Sequence, residues 1–304
     1  MLVHAGRVLR VTEALALLTM SCLIQGQACP PQGYDQEALL QLAERDFDVA
    51  VDSERNELAL ALLDCVGHPD PAIRDGVVYS AYANWLRAGL LSPEAVVSML
   101  KVLSSQLKAE DSAGFLQPFA ALDLAEVARV DRIDPLLTEK QRQQLVEDAS
   151  AYLANVRDYR GYSNAEGWRH GVAHGADLAL QLVLNKNIGS EQIANLIDAV
   201  LLQIMPPGEV FYTFAEPSRL ARPVYYAYLR EELDPAAWDD LFARLADPAP
   251  LADWSQAWKD RAGLARRHNV LAFLQALYIS ADHAESPAAE SLKQRALAVM
   301  VKLS

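Results

Sequence analysis

The stretch PAIRDGVVYSAYANWLR, residues 71–87, reads as a helix from its first residue. Pro71 suits the first helical turn, where its missing N–H leaves no intrahelical bond unmade. Val77, Ala81 and Trp85 recur every four residues with Val78 and Tyr82 beside them, so one face is apolar. The break Gly67-His68-Pro69-Asp70 precedes the stretch, and Gly89 ends it. The same grammar extends in both directions. Upstream, Asp35 caps a helix that reaches about residue 43, and 54–66 forms another. Downstream, Ser92-Pro93-Glu94 opens a segment that turns Val96, Met99, Leu100 and Leu103 inward, Pro118 opens 119–130, and Thr138 caps 139–155. Helices are expected again over 165–184, 190–204, 219–231, 235–245, 266–281 and 288–302, while EVFYTF at 209–214 is the one candidate for an extended piece.

Helices of this length on short turns must cover their apolar stripes with one another. The expected fold is therefore all-α, with antiparallel helix pairs in a divergent HEAT/armadillo-like arrangement; a closed α/α toroid is the alternative. No exact internal repeat is present.

The chain has 304 residues, 52% of them hydrophobic, enough for a sizeable core. Forty acidic against 27 basic residues give a net charge of −13, and no basic run could track a phosphate backbone, which excludes nucleic acid as the main partner. Residues 1–28 differ from the rest: Arg7 and Arg10 precede the apolar LALLTMSCLI at 15–24, and Gly26-Gln27-Ala28 offers a small-x-small cleavage pattern. The expectation is an export signal, a mature domain over 29–304 and a periplasmic address. Cys29 follows the cut, so a lipid-anchored envelope protein is the alternative, with Cys22 as a second attachment candidate and membrane association following only from lipidation. Cys65 lies behind LALALLD and reads as a small buried hydrophobe, since two remaining cysteines are too sparse for a disulfide framework.

The most unusual stretch is DYRGYSNAEGWRHGVAHGADL, residues 158–178. His170, His174 and Asp177 fall at i, i+4 and i+7, one face of a helix. Imidazole and carboxylate at that spacing suit zinc or another divalent transition metal, although Gly171 stands where the HExxH motif has its glutamate. Trp168, Tyr159 and Tyr162 are candidate ligand contacts, and Glu166 a candidate base. Glu216 and Arg219, either side of Pro217, could supply an acid/base group and an anion stabiliser, or simply a helix start. Arg74 is a candidate anion fork if it reaches the histidine face, and otherwise pairs with Asp70. His268 and Asn269 precede the stripe Val270, Phe273, Leu274, Leu277 and could reach the same cleft. There is no GxGxxG, Walker or GxSxG motif.

The segments Arg74-Asp75-Gly76-x-x-Tyr79, Phe119-Ala-Ala-Leu-x-Leu-Ala125, Asp158-Tyr-Arg-Gly-Tyr162, Gly167-Trp-x-His-x-x-Ala-His-x-Ala-Asp-Leu178, Glu216-x-x-Arg-Leu-Ala221 and Asn269-x-x-x-Phe-Leu-x-x-Leu-Tyr278 together resemble DUF2785, a bacterial family without an assigned activity. The resemblance spans about residues 40–280 and implies the same all-helical domain. It supplies no reaction or cofactor. Pro217 stands where the family is often acidic, and Gln275 where an arginine is common; both departures weaken an inherited metal or phosphate site.

Three readings follow from these residues. The first is an exported binding or interaction module whose polar cleft takes a small molecule or a protein. The second is a transition-metal-dependent hydrolase, with His170 and His174 holding the ion, Asp177 or Glu216 completing the set, and Arg74 or Arg219 stabilising charge. The third is a polar network that only specifies the fold.

Overall fold

The structure, a computed structural model, describes residues 29–303. The 71–87 stretch is continuous helix: α3 (Pro71–Ile73), a π-helical turn over Arg74–Tyr79 and α4 (Ser80–Arg87), with the Asp70 carboxylate accepting from Ala72 N. Before it come α1 (Gln36–Glu44) and α2 (Asp52–Ala61), which tightens into a 3₁₀ turn over Leu62–Cys65. After it come α5 (Pro93–Gln106), α6 (Leu116–Ile133), α7 (Glu139–Asn155), α8 (Gly171–Val183), α9 (Ser190–Ile204), α10 (Glu216–Leu229), α11 (Pro235–Ala246), α12 (Arg261–Asp282) and α13 (Pro287–Leu303). The caps read from the sequence are made: the Ser92 side chain accepts from Ala95 N, and Thr138 forms a capping box with Gln141.

The helices pack by alternation. Each of α4, α6, α8, α10 and α12 lies against the next of that set, while α7 packs on α9 and α11 on α13. Buried apolar side chains from Leu39 to Leu303 form one cluster between these layers. An all-α, repeat-like architecture follows directly, because apolar stripes are covered both by elements two steps away along the chain and by neighbours, as where α5 packs on α6 and α12 on α13.

Two local expectations are corrected. The block expected as helix over 165–184 begins as a hairpin, β1 (Tyr162–Ser163) against β2 (Gly167–Trp168), antiparallel with Tyr162 opposite Trp168; these are the only strands among the described residues. Gly167 (φ +72°) and His170 (φ +56°) take left-handed backbone angles, and Arg169 N and His170 N donate across to Gly161 O (2.9 Å) and Arg160 O (3.1 Å) instead of along a helix. The 209–214 segment forms no strand. Its backbone is held by a side chain instead, Asn269 accepting from Tyr212 N at 3.0 Å and donating to Val210 O at 2.8 Å.

The cysteine reading is also corrected. Cys29 and Cys65 form a disulfide with their Cα atoms 5.2 Å apart, so Cys65 is a cross-link and not merely a small hydrophobe. A sulfur in that bond carries no lipid thioether, so the bond and lipidation of Cys29 exclude one another. The expected export signal over 1–28 and the candidate Cys22 lie outside the described residues.

Buried polar groups knit the layers together. Asp131, 1% exposed, accepts from Leu136 N, Leu137 N, Arg142 Nε and Asn185 Nδ2 at 2.7–2.9 Å. Arg230 donates to the carbonyls of Val183, the last residue of α8, and of Asn185 and Ile188 just beyond it. Each such bond is worth only about 1 kcal/mol net, but leaving one of these groups unpaired would cost about 1–3 kcal/mol, so the set specifies one packing among many.

Candidate functional site

The first two turns of the alternating helices, together with the hairpin, line a half-open pocket of about 450 Å³. The π-helical turn contributes Asp75 and Tyr79, α6 contributes Phe119 and Leu122, and α8 contributes His174 and Asp177. Trp168 and His170 come from the chain leaving the hairpin, and Phe214, Ala215 and Arg219 from the entry to α10. His170 and Ala215 cap α8 and α10 with left-handed backbones (φ +56° and +67°), strained positions that point both residues at the pocket wall. Gly161 makes room for this junction, since a Cβ there would lie 2.0 Å from the Phe214 ring.

His170 and His174 stand with ring centroids 5.5 Å apart. His170 Nε2 is 2.8 Å from Phe214 O, and His174 Nδ1 is 3.1 Å from Pro118 O. A carbonyl oxygen only accepts, so each of these nitrogens carries the proton and the tautomers are fixed as Nε2–H and Nδ1–H respectively. Burial lowers the His170 pKa to about 4 and that of His174 to about 3, so both rings are neutral at pH 7. The remaining nitrogens, Nδ1 of His170 and Nε2 of His174, therefore present lone pairs. Neither has a protein partner, and neither is among the sealed, unpartnered polar atoms of the described residues.

The carboxylates of the pocket are already matched. Asp177 is ion-paired with Arg219, and Arg222 Nη1 is 3.8 Å from its other oxygen. Asp75 Oδ1 lies 2.8 Å from Arg74 Nε, a contact off the N–H axis that makes an ion pair without a hydrogen bond. Burial raises the pKa of both acids, and the arginines oppose that shift.

The structure thus gathers five of the sequence candidates, Trp168, His170, His174, Asp177 and Arg219, and leaves the others outside the pocket lining. Arg74 is not a ligand fork: it is fully buried, donates to the carbonyls of His68, Pro69, Glu166 and Trp168 at 2.9–3.2 Å, and sits between the Phe115 and Phe119 rings. Glu166 is on the outside in a bidentate pair with Arg169 (2.8 and 3.1 Å), which removes it as a base aimed at the pocket. Glu216 is buried at the start of α10, where it accepts from Phe214 N at 2.8 Å. It approaches His170 at 4.0 Å, but on the nitrogen that donates to Phe214 O, so it is a cap and not the expected acid/base group. Tyr162 is exposed and packs on Trp168, Tyr159 packs on Tyr212, and the exposed His268 meets Tyr212 O and the Phe211 ring.

The metal reading is corrected on the same geometry. Among the described residues no three His, Cys, Asp or Glu side chains group as metal ligands would. Asp177 is held by two arginines and Glu216 by backbone, so neither completes a zinc set on the histidine pair.

Asp75, Tyr79, Phe119, Leu122, Phe214 and Ala215 were not among the candidate site residues. Four of them sit in the segments Arg74-Asp75-Gly76-x-x-Tyr79 and Phe119-Ala-Ala-Leu122, a signal that reads equally well as helix packing. Beneath the same helices lies a further surprise: Asp123 is 1% exposed with neither carboxyl oxygen partnered, and burial raises its pKa well above the ordinary range.

No curated protein and no solved structure matches the chain. The family model described as protein of unknown function (DUF2785) matches residues 103–279, which include the hairpin, both histidines, Asp177, Arg219 and Asn269 but not Asp75 or Tyr79. That match covers more than half of the chain, and the chain belongs to this family.

Proposed function

We propose that the chain is a binding module, in which the internal polar network builds the pocket between the first turns of the alternating helices and a small molecule occupies it. The observation that carries this reading is the pair of tautomer-locked imidazoles: both rings are anchored by a backbone carbonyl on one side and keep an unpartnered lone pair on the other. The volume of about 450 Å³ is in the range of small-molecule sites, and four aromatic residues with a few convergent polar atoms match their usual lining.

The alternative reading, that the network only specifies the fold, has the wider support among the contacts. Arg74, Glu166, Glu216 and Asn269 are all consumed by bonds within the chain. Histidine ¹⁵N spectra recorded while a library of small polar and aromatic fragments is titrated separate the two readings. Binding predicts shifts at His170 Nδ1 and His174 Nε2, with the anchored nitrogens changing far less. A library that moves neither ring leaves the network as fold specification alone.

For the architecture we propose an open HEAT-like row over the toroid alternative, with residues 29–304 as one domain; the alternate packing and the shared core support this. We also propose that residues 1–28 direct export to the periplasm. The Cys29–Cys65 bond supports an oxidising address, since such cross-links rarely persist in the cytoplasm. Amino-terminal sequencing of the protein recovered from the periplasmic fraction should begin at Cys29; a chain retaining residue 1 there, or recovered only from the cytoplasm, would refute the address.

A further inference from the structure

We infer that the pocket takes an uncharged, hydroxyl-rich ligand of the carbohydrate class, bound by donation from its hydroxyls to His170 Nδ1 and His174 Nε2. The inference rests on the binding reading above and adds the chemistry of the occupant.

Three observations lead to it. The first is charge balance. Each pocket carboxylate already faces a guanidinium, Asp177 with Arg219 and Asp75 with Arg74, and the second arginine on Asp177, Arg222, lies outside the pocket lining, so the lining itself leaves no single charge for an ionic ligand to neutralise. Arg219 bears on both rings and Arg74 on His174, while the carboxylate nearest an imidazole, Glu216, lies 4.0 Å from His170 on its occupied Nε2 side, which disfavours an ammonium placed between the rings. An anion fares no better, because drawing Arg219 away from Asp177 would leave a largely buried carboxylate with only Arg222, 3.8 Å away.

The second is polarity of the hydrogen bonds. The two unpartnered ring nitrogens accept and do not donate, and the carboxylate oxygens beside them also only accept. A ligand that satisfies this set must bring donors on neighbouring positions. Vicinal hydroxyls do that while remaining neutral, and each hydroxyl can accept in turn from the Tyr79 phenol or Arg219.

The third is the apolar complement. Tyr79, Phe119, Trp168 and Phe214 line the same space, giving hydrocarbon surface to the C–H face of a sugar ring between its polar edges. Trp168 is fixed in place by stacking on His170 at 4.7 Å and by Tyr162 at 5.0 Å, so this wall is preorganised.

The test is saturation-transfer NMR on the full mature chain with four probe sets: methyl glycosides of neutral hexoses and pentoses with cellobiose and maltose; tetramethylammonium; glucuronate; and indole with phenol. A neutral glycoside is expected to receive saturation, and its per-O-methyl derivative, which has lost every donor, to bind at least about tenfold more weakly, the effect of about 1.4 kcal/mol. His174→Asn, which keeps a donor for Pro118 O but removes Nε2, is expected to weaken the glycoside about tenfold and to leave indole unchanged. Silence from every neutral glycoside while indole, tetramethylammonium or glucuronate engages and shifts His170 Nδ1 overturns the carbohydrate class and leaves the pocket reading standing. Silence from all four sets, with the histidine ¹⁵N shifts unmoved, overturns both. Equal binding of the glycoside and its per-O-methyl derivative overturns the assignment of hydroxyl donors to the imidazoles.

Discussion

Acidification from about pH 6.5 to about pH 4.5 should remove about 5 kcal/mol of stability through His170 and His174 alone. Both folded pKa values are depressed, to about 4 and about 3, below the ordinary value of about 6.5 that applies in the unfolded chain. A depressed histidine stabilises the fold above the unfolded pKa, and that contribution is lost as pH falls, because the unfolded chain takes up a proton that the folded chain refuses. Over this window each ring contributes about 2–3 kcal/mol, comparable in sum to the lower end of total domain stability, about 5–15 kcal/mol. Five acids of the described residues act in the opposite sense. Burial raises the folded pKa of Asp64, Asp75, Asp123, Asp177 and Glu216, so they protonate earlier in the fold and add stability as pH falls.

The histidine part is therefore read by difference. Asn places its amide nitrogen near the position of histidine Nδ1, and Gln near that of Nε2, so His174→Asn keeps the bond to Pro118 O and His170→Gln keeps the bond to Phe214 O. Urea unfolding at several pH values between about 7 and 4.5 gives the free energy for the parent and both variants. Each variant should flatten the slope between about pH 6 and 4.5 by about 1.4 kcal/mol per pH unit, and the double variant by twice that. Parallel curves for parent and variants would mean that the rings titrate alike folded and unfolded, which refutes the buried, neutral, tautomer-locked pair.

Arg74→Lys should destabilise by about 3 kcal/mol or more, measured by urea unfolding, because an ammonium cannot span the His68–Pro69 and Glu166–Trp168 carbonyls while lying between two phenyl rings. Asp123→Ala should stabilise by about 1 kcal/mol at about pH 8 and less at about pH 5: the raised folded pKa makes the parent lose stability as pH rises, and alanine has no such decline. A variant less stable than the parent at both pH values would show that this carboxyl has a stabilising role. Cys29→Ser opens a loop of sequence separation 36 and should cost about 3–4 kcal/mol, an effect reproduced in the parent by reductant and absent from the variant on further reduction.

How much of this was legible in the sequence depends on the range of the interaction. The helices and their caps are local, so Pro71, Ser92, Thr138 and the apolar spacing of 71–87 marked them nearly to the residue. The hairpin escapes a periodicity reading because it rests on left-handed backbone at Gly167 and His170, and although histidine adopts positive φ more often than most residues, it does so too rarely for its presence to announce a turn. His170, His174 and Asp177 were recognised as one face, and that face does line the pocket, although His170 reaches it as a cap and not from within the helix. What the pattern could not supply was direction: whether Glu216 would meet His170 through a free nitrogen or an occupied one, and whether Arg74 would point into a cleft or into four carbonyls. Those outcomes depend on contacts between distant segments, up to 94 residues apart for Arg74 and Trp168, which no local periodicity encodes. The disulfide belongs to the same class, since two cysteines 36 apart carry no spacing rule.

The structural and binding readings share their atoms, and this decides which experiments can separate them. Deleting either imidazole removes a carbonyl partner and a pocket lone pair together, so an alanine variant that loses both fold and ligand is compatible with both readings. The two nitrogens of each ring divide the roles cleanly: one is bonded within the chain, the other is not. His174→Asn and His170→Gln keep the first and remove the second, whereas His174→Gln and His170→Asn misplace the donor. A network that only specifies the fold ranks the four variants by stability alone, the first pair above the second. If the pocket has an occupant that bonds to the imidazoles, the first pair stays folded and binds it about tenfold more weakly, and that separation of stability from affinity is the outcome only a ligand site produces.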